Sequence, residues 1–179
     1  GFLKYEGPTD PTITGSFGNI FSYKNFRLNV FMTYSFGNVV RLDPVFKSEY
    51  SDLDAMPKEF KNRWTVPGDE AHTNIIAHKR QVQDIPNLKY AYNAYNYSDV
   101  RVAKGDFIRM KEISLSYDFN PAWIKQFKLN NLQLKLQATN LFLVYSDSKL
   151  NGQDPEFFRS GGVASPVPKQ FTLTLRLGL

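Results

Sequence analysis

The end of the chain has the pattern of an amphipathic β-strand. Between positions 171 and 179 every second residue is apolar, and the apolar positions are Phe171, Leu173, Leu175, Leu177 and Leu179. Because successive side chains of a strand point to opposite faces, this segment must have one apolar and one polar face. The apolar face packs inward in a soluble sandwich and outward against lipid in a membrane barrel. The pattern of the remaining segments is needed to choose between these two directions.

Four earlier segments alternate in the same way, at 12–23, 26–36, 100–119 and 132–142. The first two are separated only by Lys24 and Asn25, which predicts a hairpin with a tight turn. The segment 26–36, at about 3.3 Å per residue and a tilt of about 45°, would cover about 25 Å, which is the height of the apolar band of an outer-membrane barrel. The strand lengths therefore fit a bilayer.

The third segment contains a conflict in its upper half. Strict alternation would place Arg109 and Lys111 on the apolar face. A β-bulge near Lys111 or Glu112 would instead bring Ile108 and Met110 onto that face, because one extra residue flips every side chain beyond it. Alternatively, the strand projects above the bilayer and the two cations lie at the level of the headgroups. We favour the bulge.

The connections between these strands are alternately short and long along the chain. Residues 24–25 and 121–130 are short connections, whereas 38–98 and 144–168 are long loops without alternation. Since antiparallel strands alternate in direction, both short connections lie at one end of the sheet and both long loops at the other. Short periplasmic turns and long external loops are typical of outer-membrane barrels, and a soluble sandwich has no reason to sort its loops. A short helix is predicted at 54–64 and a helical turn at 121–127.

This pattern predicts an all-β fold of antiparallel strands in a transmembrane barrel, with the C-terminus in the periplasm. Five strands cannot close a barrel, because the smallest bacterial barrels have about eight. We therefore expect residues 1–179 to be the C-terminal segment of a barrel whose earlier strands precede them. The alternative is a soluble all-β module that binds carbohydrate or protein and has the leucine face as its core.

Aromatic residues support the membrane interpretation. The chain has 15 Phe, 10 Tyr and 2 Trp, and they cluster at the ends of the alternating segments, as in the interfacial girdles of barrels. The longest apolar run, 141–145, is far short of the about 20 residues that a membrane helix needs. We predict five interface anchors: Tyr23, Phe26, Tyr117, Phe119 and Trp123.

Several functional classes are disfavoured by composition. The net charge of +5 is modest and spread along the chain, which argues against a nucleic-acid partner. The absence of cysteine excludes a thiolate nucleophile and a Cys-ligated zinc, and no Gly-x-Ser-x-Gly turn is present, so we expect no enzyme. The two histidines, His72 and His78, lie in a segment without a helical period, and we favour a solvated loop over a metal site. No metal or other cofactor is expected.

Seven short motifs follow one another along the chain. They are Thr-Gly-Ser-Phe-Gly-Asn at 14–19, Ser-Tyr-Lys-Asn-Phe at 22–26, Tyr-Ser-Phe-Gly-Asn at 34–38, Arg-Trp-Thr-Val-Pro-Gly-Asp-Glu at 63–70, Gly-Asp-Phe-Ile-Arg-Met-Lys-Glu-Ile-Ser-Leu at 105–115, Thr-Asn-Leu-Phe at 139–142 and Asp-Pro-Glu at 154–156. Their order and spacing across the chain resemble the C-terminal end of the SusC/RagA family of TonB-dependent outer-membrane transporters. One departure is Leu179, because chains of this family usually end in an aromatic residue.

The resemblance implies a large barrel of about 22 strands around an N-terminal plug. It implies location in the cell outer membrane and import of oligosaccharides or peptides. It also implies three sets of partners, namely a SusD-like surface lipoprotein, the TonB, ExbB and ExbD energy complex acting through N-terminal parts, and the barrel-assembly machinery. The closing strand, Phe171 to Leu179, would be the strand that the assembly machinery recognises.

Two groups of loop residues are candidates for ligand contact. Trp64, Tyr92 and Tyr95 offer aromatic surface for sugar rings or for a partner, although the tyrosines suit a girdle or a loop core equally well. Asp154 and Glu156 could bind calcium or substrate, and the interpretation that we favour for them is a turn preset by the proline between them. A polar interior wall is predicted from the inward side chains Arg27, Asn29, Lys135, Gln137 and Arg176.

Overall fold

The computed structural model describes residues 3–47, 53, 55–77, 88–158 and 167–178. The chain divides into two compact units, one formed by Gly1–Glu6 with Arg41–Ala103 and the other by Gly7–Val40 with Lys104–Leu179. Within the described residues, seven strands lie at Ile13–Tyr23 (β1), Phe26–Phe36 (β2), Val39–Arg41 (β3), Val102–Lys104 (β4), Phe107–Asp118 (β5), Asn131–Ser146 (β6) and Gln170–Gly178 (β7). The same part of the chain contains two α-helices, Leu88–Tyr97 (α1) and Pro121–Ile124 (α2). Short 3-10 helices span Lys58–Asn62, Asp69–Ala71, Asp99–Arg101, Lys125–Phe127, Ser148–Leu150 and Pro155–Phe157.

The main sheet has five antiparallel strands in the order β1-β2-β5-β6-β7, and β3 pairs with β4 in a separate two-stranded sheet. The predicted hairpin is confirmed, because Tyr23 pairs with Phe26 and Ile13 with Phe36. Lys24 has a φ of 50° in the two-residue turn. Positive φ values are what a two-residue hairpin requires, because they match the twist of the strands.

Cross-strand register aligns the apolar residues on one face of the main sheet, hereafter the leucine face. Leu28 pairs with Phe21 and with Leu115, and Leu136 pairs with Leu115 and Leu173. The predicted face of the closing strand is confirmed, since three of its leucines and its phenylalanine pair with apolar residues of β6: Phe171, Leu173, Leu175 and Leu177. Leu179 lies outside the described residues.

The predicted β-bulge is confirmed at Lys111. Phe31 pairs with Glu112 and Met32 with Met110, so Lys111 has no counterpart on β2. The extra residue returns Met110 to the leucine face and puts Arg109 on the opposite face, as the bulge rule requires. The β5 and β6 pairing is also irregular here, and Asn140 on β6 has a φ of 54°.

Exposure on the two faces is the reverse of that in a soluble protein. Leu173 and Leu175 are 65% and 56% exposed, whereas Arg109 and Ser114 on the opposite face are 5% and 4% exposed. A soluble module would bury its leucines to gain roughly 25 cal/mol per Å² of apolar surface. The exposure of the leucine face therefore counts against the soluble alternative.

Both short connections lie at one end of the main sheet, as predicted. Phe26, next to the first turn, pairs with Tyr117, which precedes the connection that contains α2. At the other end, Ser35 pairs with Phe107 and Phe107 with Ser146, so both long loops leave from there. The connection 121–130 has the predicted helical turn with Pro121 at its first position, capped by the Asn120 side chain on the Ala122 N–H.

The prediction of an aperiodic loop at 38–98 is wrong in one respect, because this segment contains α1 and has its own core. The core cluster consists of Val45, Phe46, Ile75 and Tyr92. The sequence pattern did not predict this helix because its apolar positions are mostly tyrosines, which occur equally in loops and girdles. The predicted short helix at 54–64 is a 3-10 helix at Lys58–Asn62, and Asp54 lies outside the described residues. Likewise, β6 extends to Ser146 and takes the first residues of the predicted loop 144–168.

Candidate functional site

The face of the main sheet opposite the leucines, hereafter the polar face, carries the side chains predicted for an interior wall. Register places on it all five predicted residues, Arg27, Asn29, Lys135, Gln137 and Arg176. At its centre Glu112 accepts a hydrogen bond from Asn29 Nδ2 at 3.2 Å, and its carboxylate lies 4.0 Å from Lys135 Nζ. The polar face is thus a hydrogen-bonded surface.

A chain of ion pairs lies on the polar face at its long-loop end. The buried Arg109 guanidinium pairs with the largely buried Asp154 carboxylate, and its Nε lies 2.9 Å from Glu156 Oε2. Lys111 Nζ lies 3.4 Å from Glu156 Oε1, so the chain of charges ends at a partly exposed pair. A buried cation without a counter-charge is strongly destabilising. The pairing of Arg109 with Asp154 and Glu156 therefore holds the loop that contains these two acids against the sheet.

Asp154 and Glu156 also form a local turn. Asp154 Oδ1 accepts a hydrogen bond from the Glu156 N–H at 3.1 Å, and Pro155 begins the 3-10 helix Pro155–Phe157. The turn that we favoured is therefore present, with both carboxylates directed to cations. Among the residues that the structure describes, no three His, Asp or Glu side chains are grouped so as to hold a metal ion. His78 lies outside the described residues.

The three aromatic candidates lie in the other unit. Trp64 Nε1 donates to the Thr73 carbonyl at 2.6 Å. Tyr92 is buried, stacks on Phe46 at a ring distance of 4.5 Å and donates its hydroxyl to the Ala77 carbonyl at 2.9 Å. Tyr95 meets the edge of Phe46 at 5.5 Å. Both tyrosines pack on Phe46 and Trp64 is tied to the loop backbone, and ligand contact stays a prediction for all three.

An ion pair between the buried Arg101 and the partly buried Glu59, in the same unit, was not predicted from the sequence. Arg101 donates to both carboxylate oxygens of Glu59, at 2.7 and 2.8 Å, and its guanidinium carbon lies 5.8 Å from the centre of the Tyr95 ring. Burial raises the pKa of the Tyr95 hydroxyl, and the Arg101 charge opposes that rise. Glu59 precedes Arg101 by 42 residues, and no local pattern pairs residues at that distance.

The motif at 63–70 forms a closed turn around Asp69. Its carboxylate accepts the N–H groups of Thr65 at 2.7 Å and Val66 at 3.0 Å. These backbone hydrogen bonds lower the pKa of Asp69, because they favour the ionised form. Gly68 has a φ of 105°, a conformation that glycine adopts without a steric penalty.

The predicted interface anchors lie toward the short-connection end of the sheet. Phe26 packs on Tyr117 at a ring distance of 4.6 Å, and Tyr117 packs on Phe119 at 4.9 Å. Tyr23 and Trp123 are largely exposed. This belt suits the polar boundary of a bilayer, and anchoring stays a prediction. No helix within the described ranges is long and apolar enough to cross a membrane.

Comparisons with known proteins point to one class. No protein-family model matches the chain. TonB-dependent receptor P39 of Formosa agariphila is 26% identical over 155 residues, which are 85% of this chain and 14% of that protein. The RagAB peptide importer in its open-open state matches with a TM-score of 0.66 and 22% identity over 98% of this chain and 18% of the matched chain. Its closed-closed state gives a TM-score of 0.64 over 97% and 18%.

The chain thus spans less than a fifth of the length of each of these relatives. The structural matches confirm the predicted fold class, an antiparallel part of a large barrel. By their names the relatives are a receptor and an importer, not enzymes. Sequence and fold together confirm the resemblance of this chain to TonB-dependent receptors of the SusC/RagA type, for a part of such a protein.

Proposed function

We propose that this chain forms part of the wall of a TonB-dependent importer of the SusC type in the outer membrane. The observation that carries the proposal is the exposed leucine face opposite a polar face with buried charges. Contiguous apolar surface of this extent needs lipid or a partner to cover it. A lipid-facing apolar band around a polar interior is the design of outer-membrane barrels.

The chemistry in this proposal is noncovalent. The polar face lines a hydrated interior, and the long loops face the outside, where a SusD-like lipoprotein would meet them. The C-terminus then lies in the periplasm, and the barrel-assembly machinery acts on β7. Energy from TonB, ExbB and ExbD acts on parts of the full-length protein outside this chain. The named relatives support a receptor or import role, and the solutes would be oligosaccharides or peptides.

Uptake measurements test the transport role. Two strains are compared, a host that lacks the full-length gene and the same host complemented with it. Both are given radiolabelled oligosaccharide and oligopeptide mixtures. We expect accumulation that needs both the complementing gene and an intact TonB system. Accumulation that is the same without the receptor, or that persists without TonB, would contradict the proposed function.

Cysteine labelling tests the sidedness. In a cysteine-free full-length background, Ser148→Cys reports on a long loop and Gln126→Cys on the short connection after α2. We expect a membrane-impermeant maleimide to label Ser148→Cys on intact cells and Gln126→Cys only after the outer membrane is permeabilised. The reverse order of labelling would contradict the proposed orientation.

A further inference from the structure

The leucine face contains a groove of about 380 Å³ across β5, β6 and β7. The apolar residues that line it are Ile113, Leu115, Leu136, Ala138, Phe171 and Leu173. Ala138 pairs with Ile113 on one side and with Phe171 on the other. Because its methyl group lies between two large side chains, the surface is recessed at this point. The volume is within the range of about 300–1,000 Å³ of small-molecule sites, and the apolar lining suits a hydrocarbon chain.

The short-connection end of the same sheet carries cations without neighbouring acids. Neither short connection contains Asp or Glu. Both contain exposed lysines, namely Lys24, Lys125 and Lys128. The acid that precedes the second connection, Asp118, lies on the polar face and accepts a hydrogen bond from Gln133 Nε2 at 2.7 Å. An anionic group can therefore approach these lysines from the side of the leucine face without repulsion from a carboxylate.

Two aromatic side chains accompany the lysines of the second connection. Trp123 and Phe127 are 66% and 75% exposed, whereas Ile124 between them is buried. Tryptophan and lysine together are typical of the headgroup level of a bilayer, where an apolar body and a polar tip are both accommodated. Four exposed residues of this connection are hereafter called the lysine patch: Trp123, Lys125, Phe127 and Lys128.

The groove lies within one leaflet of the lysine patch. At the start of the second connection the Phe119 N–H donates to the Leu132 carbonyl of β6, and the groove begins four residues further along β6, at Leu136. Four strand residues span about 13 Å, which at a tilt of about 45° is about 9 Å along the membrane normal. One leaflet contributes about 15 Å of hydrocarbon. An acyl chain of a lipid whose headgroup lies at the patch therefore reaches the groove.

We propose that the lysine patch and the groove bind one anionic phospholipid of the periplasmic leaflet. The inference rests on the proposed function, which turns the leucine face to lipid and the short connections to the periplasm. Lys125 and Lys128 would pair with the phosphate. Trp123 and Phe127 would lie at the level of the glycerol, and one acyl chain would occupy the recess at Ala138. A zwitterionic lipid would bind less tightly, because the lysines repel its ammonium group.

Native mass spectrometry of the purified full-length receptor in detergent tests the headgroup part of the site. The probes are phosphatidylglycerol and phosphatidylcholine with identical acyl chains. The variant is Lys125→Gln with Lys128→Gln. Its control is Lys104→Gln with Lys169→Gln, because these two lysines are also exposed but lie toward the long-loop end of the sheet.

We expect the wild-type receptor to bind phosphatidylglycerol at least about tenfold more tightly than phosphatidylcholine, because each lysine near an anionic headgroup contributes a factor of about five. The glutamine variant should lose most of this preference, and the control should keep it. Lys125→Arg with Lys128→Arg retains both charges and should keep the preference as well. Equal affinity of the wild type for the two lipids, or an equal loss in the control, would overturn the site.

The acyl-chain part is tested by Ala138→Leu, which fills the recess. Its control is Val30→Leu, because Val30 pairs with Ile113 in the same cross-strand row but lies outside the groove. We expect Ala138→Leu to weaken the binding of both lipids several-fold, and Val30→Leu to change neither. Unchanged affinities in the folded Ala138→Leu receptor would overturn the groove as part of the site.

The outcomes separate this site from the transport role. A wild-type receptor that shows no lipid preference but supports TonB-dependent uptake would count against the lipid site alone. Phosphatidylglycerol preference that depends on the patch, in a receptor without TonB-dependent uptake, would support the lipid site and count against the proposed transport.

Discussion

At the scale of single residues, Arg109 shows how a charge is accommodated inside a strand. Its position conflicts with simple alternation, and the conflict was visible in the sequence. The structure resolves it with a bulge and two carboxylates from a turn 45 residues further along the chain. The partners could not be predicted, because a contact over that distance depends on how the loop returns to the sheet.

Removing one member of the buried pair should be costly. Arg109→Met leaves the largely buried Asp154 carboxylate without its cation, and we expect a loss of about 3–5 kcal/mol in the free energy of unfolding. The measurement is denaturant unfolding of the full-length receptor in detergent. The matched control is the double variant Arg109→Met with Asp154→Asn, which removes the stranded charge and should recover part of the loss. Equal stability of the single variant and the wild type would contradict the role of the pair.

Asp69 gives a prediction for pH. Its folded pKa lies below the unfolded value of about 3.9, so its contribution to stability is present above that value and is lost as the pH falls through the folded pKa. Asp69→Asn removes the charge and should loosen the turn at pH 6, and the difference between variant and wild type should be smaller at pH 3. Hydrogen exchange of the segment 63–73, corrected for the intrinsic pH dependence, measures this. A difference that is equal at both pH values would contradict the assigned cause.

At the scale of elements, the hairpin, the polar and apolar faces and the bulge all followed from local rules. Strand β2 was predicted with its observed bounds, because Lys24 and Asn25 mark a two-residue turn. Helix α1 was missed, since tyrosines blur its apolar stripe. The end of β6 was placed too early because Asn140, at positive φ, interrupts the alternation. Such irregularities depend on neighbouring strands and leave little trace in sequence.

The bulge can be tested by deleting one residue. Removing Lys111 deletes the extra residue, so β5 can pair regularly with β2 while Met110 stays on the leucine face and Arg109 on the polar face. We expect the full-length protein to assemble at close to the wild-type level, because no charged side chain is turned toward lipid. The folded fraction is measured by heat-modifiable migration in gels. The control is deletion of Ser114, which lies outside the bulge: it turns Ile113 to the polar face and Glu112 to the leucine face and should lower assembly, and equal assembly of the two deletion variants would argue against the bulge.

At the scale of the whole molecule, the candidate site was predicted less well than the fold. Sequence reasoning named Asp154 and Glu156 and favoured a turn, which the structure has. It also named Tyr92 and Tyr95, which pack with the core of the other unit, and Trp64, which hydrogen-bonds to the backbone there. Aromatic loop residues can pack in a loop core or contact a ligand. Composition does not distinguish these two roles, and the structure is needed to do so. The ion pairs that join Arg109 and Lys111 to this turn were not predicted, because they connect residues from distant parts of the chain.

The central claim is that the leucine face contacts lipid while the polar face lines the interior. Two substitutions on β7 of the full-length protein test it most directly, Leu175→Lys on the leucine face and Thr172→Lys on the polar face. The measurement is the folded, heat-modifiable fraction in isolated outer membranes. We expect Leu175→Lys to lower this fraction strongly, at a cost of about 2–4 kcal/mol if it lies near the midplane, and Thr172→Lys to leave it near the wild-type level. Normal assembly of Leu175→Lys, or a larger loss for Thr172→Lys, would contradict the account.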